Sequence, residues 1–244
     1  MKTLFLDFDE EKIISSLPST VPLFPLDNVV FFPNTILPLH IFEERYKQMI
    51  SDSQDSHNLI CMALFNSEIE NDDSKALSTT GCVGKIINNE EDDEGKKNII
   101  LYGLKRIKID KVLYNKPYRE AEISIIDTIP SDNSTAFKKR IIELVDNWNL
   151  LIDGYSDNFK IQVENDVSLS KLTDSLSSSM VAKAKERQLL LEELNETLRA
   201  EKVIEILFDM NTMKEEQCKD WYEENKARFE SPRPEPEPEK PAAA

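Results

Sequence analysis

The sequence predicts an α+β fold in which strands come first and helices follow. Two changes of pattern carry this reading. Residues 21–130 are short apolar runs broken by Pro22, Pro25, Pro33 and Pro38. Proline removes a ladder hydrogen bond, so these runs suit short, bent strands of a small curled barrel better than central strands of a flat sheet. From residue 134 to 213 the apolar spacing lengthens to that of amphipathic helices.

Residues 1–20 form a lead-in. Residues 9–16 are expected to make one or two helical turns with Ile13, Ile14 and Leu17 inward, stopped by Pro18. A helix should follow Ile41, because Phe42, Tyr46, Met49 and Ile50 share one face. Glu43 and Lys47 stand one turn apart on another face and form a minor stabilising pair. Residues 58–65 are an apolar run short enough for a buried strand, and residues 66–80 are a polar loop. Residues 81–87 and 97–102 pair as a hairpin across an acidic loop, 88–96, with Glu94-Gly95 at its tip. Ile107 and Ile109 alternate with Arg106, Lys108 and Asp110, giving a half-buried strand. A last strand lies within residues 120–129, with Ile123 and Ile125 on one face.

The helical part, residues 131–213, has four expected members. Phe137, Ile141, Leu144, Val145 and Trp148 mark a helix over residues 135–151. Leu169, Leu172 and Leu176 mark a second, with Ser168 as its N-cap. Residues 181–194 form a third, with Leu190, Leu191 and Leu194 inward, and Thr197 caps a fourth that carries Ala200, Val203, Ile204, Leu207 and Met210. Residues 214–230 are charged and read as an extension of that last helix. Residues 231–244 alternate proline with glutamate, a composition that predicts a disordered, extended, solvated tail.

Charge and composition exclude several functions. The net charge of −16 and pI near 4.7 disfavour non-specific binding to nucleic acid or an anionic membrane. One stripe runs against this balance: Lys105, Arg106, Lys108, Lys111, Lys116 and Arg119 face only Asp110 within residues 105–119. Tyr114 and Tyr118 interleave with it, a combination that can hold single-stranded nucleic acid. No apolar run reaches the length of a membrane span. The acidic start fits neither a secretory nor a transit leader, so the expectation is a cytoplasmic protein. Cys61, Cys82 and Cys218 are too few and too scattered for a disulfide framework and read as buried thiols.

No catalytic pattern is present. Gly81-Cys-Val-Gly-Lys85 lacks the spacing of a phosphate-binding loop, and no Gly-x-Ser-x-Gly elbow occurs. His40 and His57 lie apart, and His57 with Cys61 has no local third ligand, so no metal or cofactor is expected. Glu43, Glu44 and Arg45 read as a helix start, where acidic groups oppose the dipole.

Residues 21–46 contain Leu-Phe-Pro-Leu, Phe-Pro, Leu-Pro-Leu and Ile-Phe-Glu-x-Arg-Tyr in that order. This succession resembles the opening of the N-terminal, substrate-binding domain of Lon ATP-dependent proteases. Gly81-Cys-Val-Gly84, residues 99–107 (Ile-Ile-Leu-Tyr-Gly-Leu-Lys-Arg-Ile), Pro117-Tyr118, residues 185–192 and Leu198-Arg199 extend the resemblance over residues 20–212. Asn34 stands where that family commonly has glycine after Phe-Pro, and asparagine also tolerates a left-handed turn.

The resemblance implies a PUA-like β-rich pseudo-barrel followed by a helical bundle, without the ATPase and Ser-Lys protease domains. It further implies a non-catalytic module that binds polypeptides, or a protein partner such as a protease or chaperone, as an adaptor or regulator in protein quality control. Phe31, Phe32, Phe42 and Tyr46 are then the candidate apolar contacts for polypeptide. The alternative is a PUA-like RNA-binding module that uses Lys105, Arg106 and Lys108 of the basic stripe.

Overall fold

A computed structural model describes residues 8–66, 76–92, 95–153, 160–163, 166–213 and 215–229. The expected leading residues 1–7 and the Pro/Glu-rich tail lie outside these, as does most of the 66–80 loop. The order is α1 (Glu10–Ser15), β1 (Thr20–Asp27), β2 (Ile36–Ile41), α2 (Glu44–Gln54), β3 (Leu59–Phe65), β4 (Thr80–Glu91), β5 (Lys97–Leu113) and β6 (Arg119–Ile125). Helices follow: α3 (Ser134–Leu151), α4 (Leu169–Met180), α5 (Ala184–Glu192), α6 (Glu196–Asn211) and α7 (Glu215–Phe229). No helix among the described residues is long and apolar enough to cross a membrane.

The six strands are ordered β2-β5-β4-β3-β1-β6, and β6 also pairs with β5. The hydrogen-bonded circuit β5-β4-β3-β1-β6 therefore returns to β5, which makes a pseudo-barrel. It is irregular, with β1 and β3 parallel, the other pairs antiparallel, and register shifts in β4 and β5. Strand β5 is one continuous strand, where two were expected. Its first half, Lys97–Tyr102, pairs with β2 and its second half, Ile107–Leu113, pairs with β6. A single long strand is needed because two different partners share the same side of it. Strand β4 follows β5 out to Glu91, so the acidic turn is tighter than expected, and Gly95 supplies its left-handed residue at φ 72°.

The helical segments keep their expected faces, with three corrections. Ser168 caps α4 by accepting from the Lys171 amide, as expected. The cap of α6 is Asn195 rather than Thr197: its side chain accepts from the Thr197 and Leu198 amides. Helix α5 begins at Ala184 rather than at Val181, which is extended and terminates α4. Helix α7 is a separate helix rather than an extension of α6, which ends at Thr212. Trp221 of α7 packs edge-on against the buried Trp148 of α3, with ring centroids 5.1 Å apart.

The loop between β1 and β2 joins the two parts. Val30 and Phe32 leave the barrel and belong to the core cluster of α3, α4 and α6, with Trp148, Leu172 and Val203. Asn34 takes φ 59°, the left-handed turn anticipated for it, and its amide donates to the Gly103 carbonyl at 2.8 Å. Gly103 in turn donates to the Thr35 carbonyl at 2.9 Å. A buried ion cluster makes the second joint. Arg106 of β5 grips Asp174 of α4 with both terminal guanidinium nitrogens, and its Nε donates to the Leu191 carbonyl of α5. Arg199 of α6 lies 3.5 Å from the same carboxylate.

Candidate functional site

Strand β2 is an edge. It pairs with β5 on one side, and among the described residues no strand covers the other. Pro38 is compatible with that place, because an edge position can spare an amide. The strand alternates: Ile36, Pro38 and His40 are exposed, while Leu37 and Leu39 are half-buried. Beside its first half opens a groove of about 840 Å³. Asn28, Val29 and Val30 of the β1–β2 loop line it, with Ile36, Leu37 and Pro38. The opposite wall is the end of α4 and the start of α5: Ser178, Ser179, Ala182, Lys183, Ala184, Lys185 and Arg187.

Arg187 fixes the two walls together. Its guanidinium donates to the Val181 and Ala182 carbonyls at 2.9 and 2.6 Å, and across the groove base to the Asn28 carbonyl at 2.6 Å. Asn28 can present that carbonyl because it sits at φ 59°. The groove is thus preformed. It offers a strand edge, aliphatic side chains and cationic side chains, and among the described residues its lining contains no carboxylate, thiol or imidazole.

A second cleft of about 540 Å³ is lined by the last residues of β1, Pro25, Leu26 and Asp27. Tyr46, Tyr114, Tyr118, Arg45, Lys116 and Arg119 line it together with Asp27 and Glu43. Cations stack on its rings, with Arg45 4.8 Å from the Tyr46 centroid and Arg119 5.3 Å from that of Phe65. Tyr118 donates to Asp52 at 2.6 Å and accepts from Lys116 at 2.9 Å. Burial, and then the Asp52 carboxylate, push the Tyr118 phenol up to about 12, while the same bond holds Asp52 below its ordinary range. Lys116 also pairs with Glu120, so this cleft is internally compensated.

Residues 20–209 match the family model of the ATP-dependent protease La (LON) substrate-binding domain. The chain belongs to this family. Lon proteases of Flavobacterium johnsoniae and Cytophaga hutchinsonii are similar to it, 29% identical over 189 residues and 27% identical over 180. These matches cover 75% and 72% of this chain but 23% and 22% of those proteases, so the chain spans about a quarter of their length. Among solved structures, the N-terminal domain of a Mycobacterium avium complex Lon protease superposes with a TM-score of 0.58 at 17% identity. It covers 78% of this chain and 98% of that one. A Lon N-terminal domain protein from Xanthomonas campestris gives 0.57 at 19%, covering 77% and 98%. These two likenesses concern the fold.

Within this Lon domain the residues singled out from sequence fall in different places. Phe31 and Phe32 are buried, at 3% and 0% exposure, in the barrel core and the helical core respectively. They are packing residues rather than exposed contacts, because the β1–β2 loop turns both inward. Phe42 precedes α2 instead of joining its inner face and is 61% exposed, beside His40. Glu43 pairs with Arg45, and Lys47 with Glu44, in place of the expected Glu43–Lys47 pair. Tyr46 packs on Phe24, 4.4 Å between centroids, and faces the second cleft.

The basic stripe does not form a single surface. Arg106 is buried on Asp174, Lys105 pairs with Asp127 at 2.8 Å, and Lys108 lies 3.6 Å from Asp110. The groove beside β2 was not anticipated from the sequence. The available signal was Pro38 inside an apolar run, which marks an edge strand. Cys61, Cys82 and Cys218 are buried and form no disulfide among the described residues, and burial raises the thiols of Cys61 and Cys82 far above the range in which they would react.

Proposed function

We propose that this Lon-family chain is a non-catalytic polypeptide-recognition module, and that the groove beside β2 receives an extended segment. In this reading it works in the cytoplasm as an adaptor or regulator of protein quality control, delivering polypeptide to a partner such as a protease or chaperone. The observation that carries the reading is the uncovered edge of β2 facing a preformed aliphatic groove. An extended chain can add to such an edge through backbone hydrogen bonds while alternate side chains enter the groove. Pro38 interrupts the row of donors, so side-chain burial must supply much of the affinity. The compensated second cleft and the dispersed basic stripe favour no second reading.

Fluorescence anisotropy with a labelled, unstructured aliphatic peptide tests this. The native chain should bind it. Ile36→Glu, at a position already 42% exposed, should fold normally yet weaken binding about tenfold or more, since burying one isoleucine contributes about 1.5–3 kcal/mol. Equal affinity for both proteins would remove the groove from the function.

A further inference from the structure

We infer that the groove beside β2 selects acidic polypeptide segments, in which aliphatic side chains alternate with Asp or Glu. This inference rests on the groove reading above and adds the class of substrate. Acidic residues outnumber basic ones in the chain by 46 to 30. The groove reverses that balance: among the described residues its lining holds Lys183, Lys185 and Arg187 and no carboxylate. All three cations stand on the wall opposite β2, so a segment added to the edge of β2 would present one row of its side chains to them.

The cations divide the work. Arg187 is committed to carbonyls and holds the groove shape. Lys183 reaches Glu186 at 3.1 Å, but both side chains are largely exposed, so that pair exchanges readily with a ligand carboxylate. Lys185 makes no ion pair among the described residues and lies in the first turn of α5. The cap position of that helix is Lys183, whose side chain makes no capping bond, and its first turn carries Glu186, so a ligand carboxylate would compete with Glu186 both for Lys183 and for the positive helix end. The aliphatic row of such a segment, lying beside Ile36, would supply affinity, and the lysine rim facing the acidic row would supply sign selectivity.

Three peptides with one aliphatic sequence test this against the full chain. Their intervening positions carry Glu, Lys or uncharged Gln. At low salt the Glu peptide should bind about tenfold tighter than the Lys peptide, the size expected of two partly exposed charge pairs. High salt, or the double variant K183E/K185E, should abolish that advantage and leave the Gln peptide unaffected. Equal binding of the Glu and Lys peptides, with the Gln peptide also bound, would overturn the selectivity and leave the groove reading intact. Binding by none of the three would instead overturn the groove reading. Self-association lost in K183E/K185E, without peptide binding, would assign the groove to a second copy of the chain and overturn the inference as well.

Discussion

Replacing Asp174 by asparagine is expected to lower the unfolding free energy by about 3–5 kcal/mol, the cost of leaving buried charge without its partner. The Asp174 side chain is 1% exposed and accepts from both terminal nitrogens of Arg106, while Arg199 Nε stands 3.5 Å away. Two guanidiniums thus share one carboxylate between β5, α4 and α6. Arg199 is held beside that carboxylate by its own hydrogen bonds, from Nε to Thr173 and from its terminal nitrogens to the Glu193 carbonyl and Ser170, at 3.1, 2.6 and 2.8 Å, so its contact with Asp174 is one of charge. Burial pulls the Arg199 pKa below its ordinary value, and Asp174 is the main influence that opposes this. Asparagine keeps the shape but presents an amide where two cations need an anion. Urea unfolding measures the loss. Lys108→Ala is the contrast: its pair with Asp110 is exposed, so the change should be within about 0.5 kcal/mol. A loss below about 1 kcal/mol in Asp174→Asn would show that water reaches the cluster.

Gly103→Ala should be nearly as damaging, at about 3 kcal/mol. A Cβ at residue 103 would stand 2.1 Å from the Phe32 carbonyl oxygen and 3.1 Å from the Pro33 Cα. Those atoms are backbone, so no side chain can swing aside, and the β1–β2 loop itself must move. That loop carries Phe32 into the helical core and Asn28 to Arg187 at the base of the groove. Stability and peptide affinity should therefore fall together. A fall in stability alone would mean that the loop yields between Pro33 and Thr35 without disturbing the groove.

The sequence made the local features legible. The change of period placed strands before helices, Ser168 was readable as a cap, and Asn34 was readable as a left-handed residue. Pairings between distant residues were not legible. Strict alternation puts Arg106 with Lys108 on an outer face, yet Arg106 is buried and Lys108 exposed. The difference is α4 and α5, which cover only one end of that face and whose partner carboxylate lies 68 residues away. Phe31 and Phe32 failed as contacts for a related reason: an aromatic pair in a proline-rich run reads the same whether its loop turns inward or outward. The groove was hidden because its walls, β2 and the α4–α5 junction, are far apart in the chain. The resemblance to Lon domains located the family, but the site required the fold.

Hydrogen–deuterium exchange with and without a saturating aliphatic peptide tests the central claim most directly. Slowed amide exchange confined to residues 35–41 and 178–187 is the expected result, because an added strand would take the uncovered donors of β2 and order the facing turn. Protection centred instead on residues 114–119 and 43–46, the lining of the second cleft, would contradict it and move the binding site there.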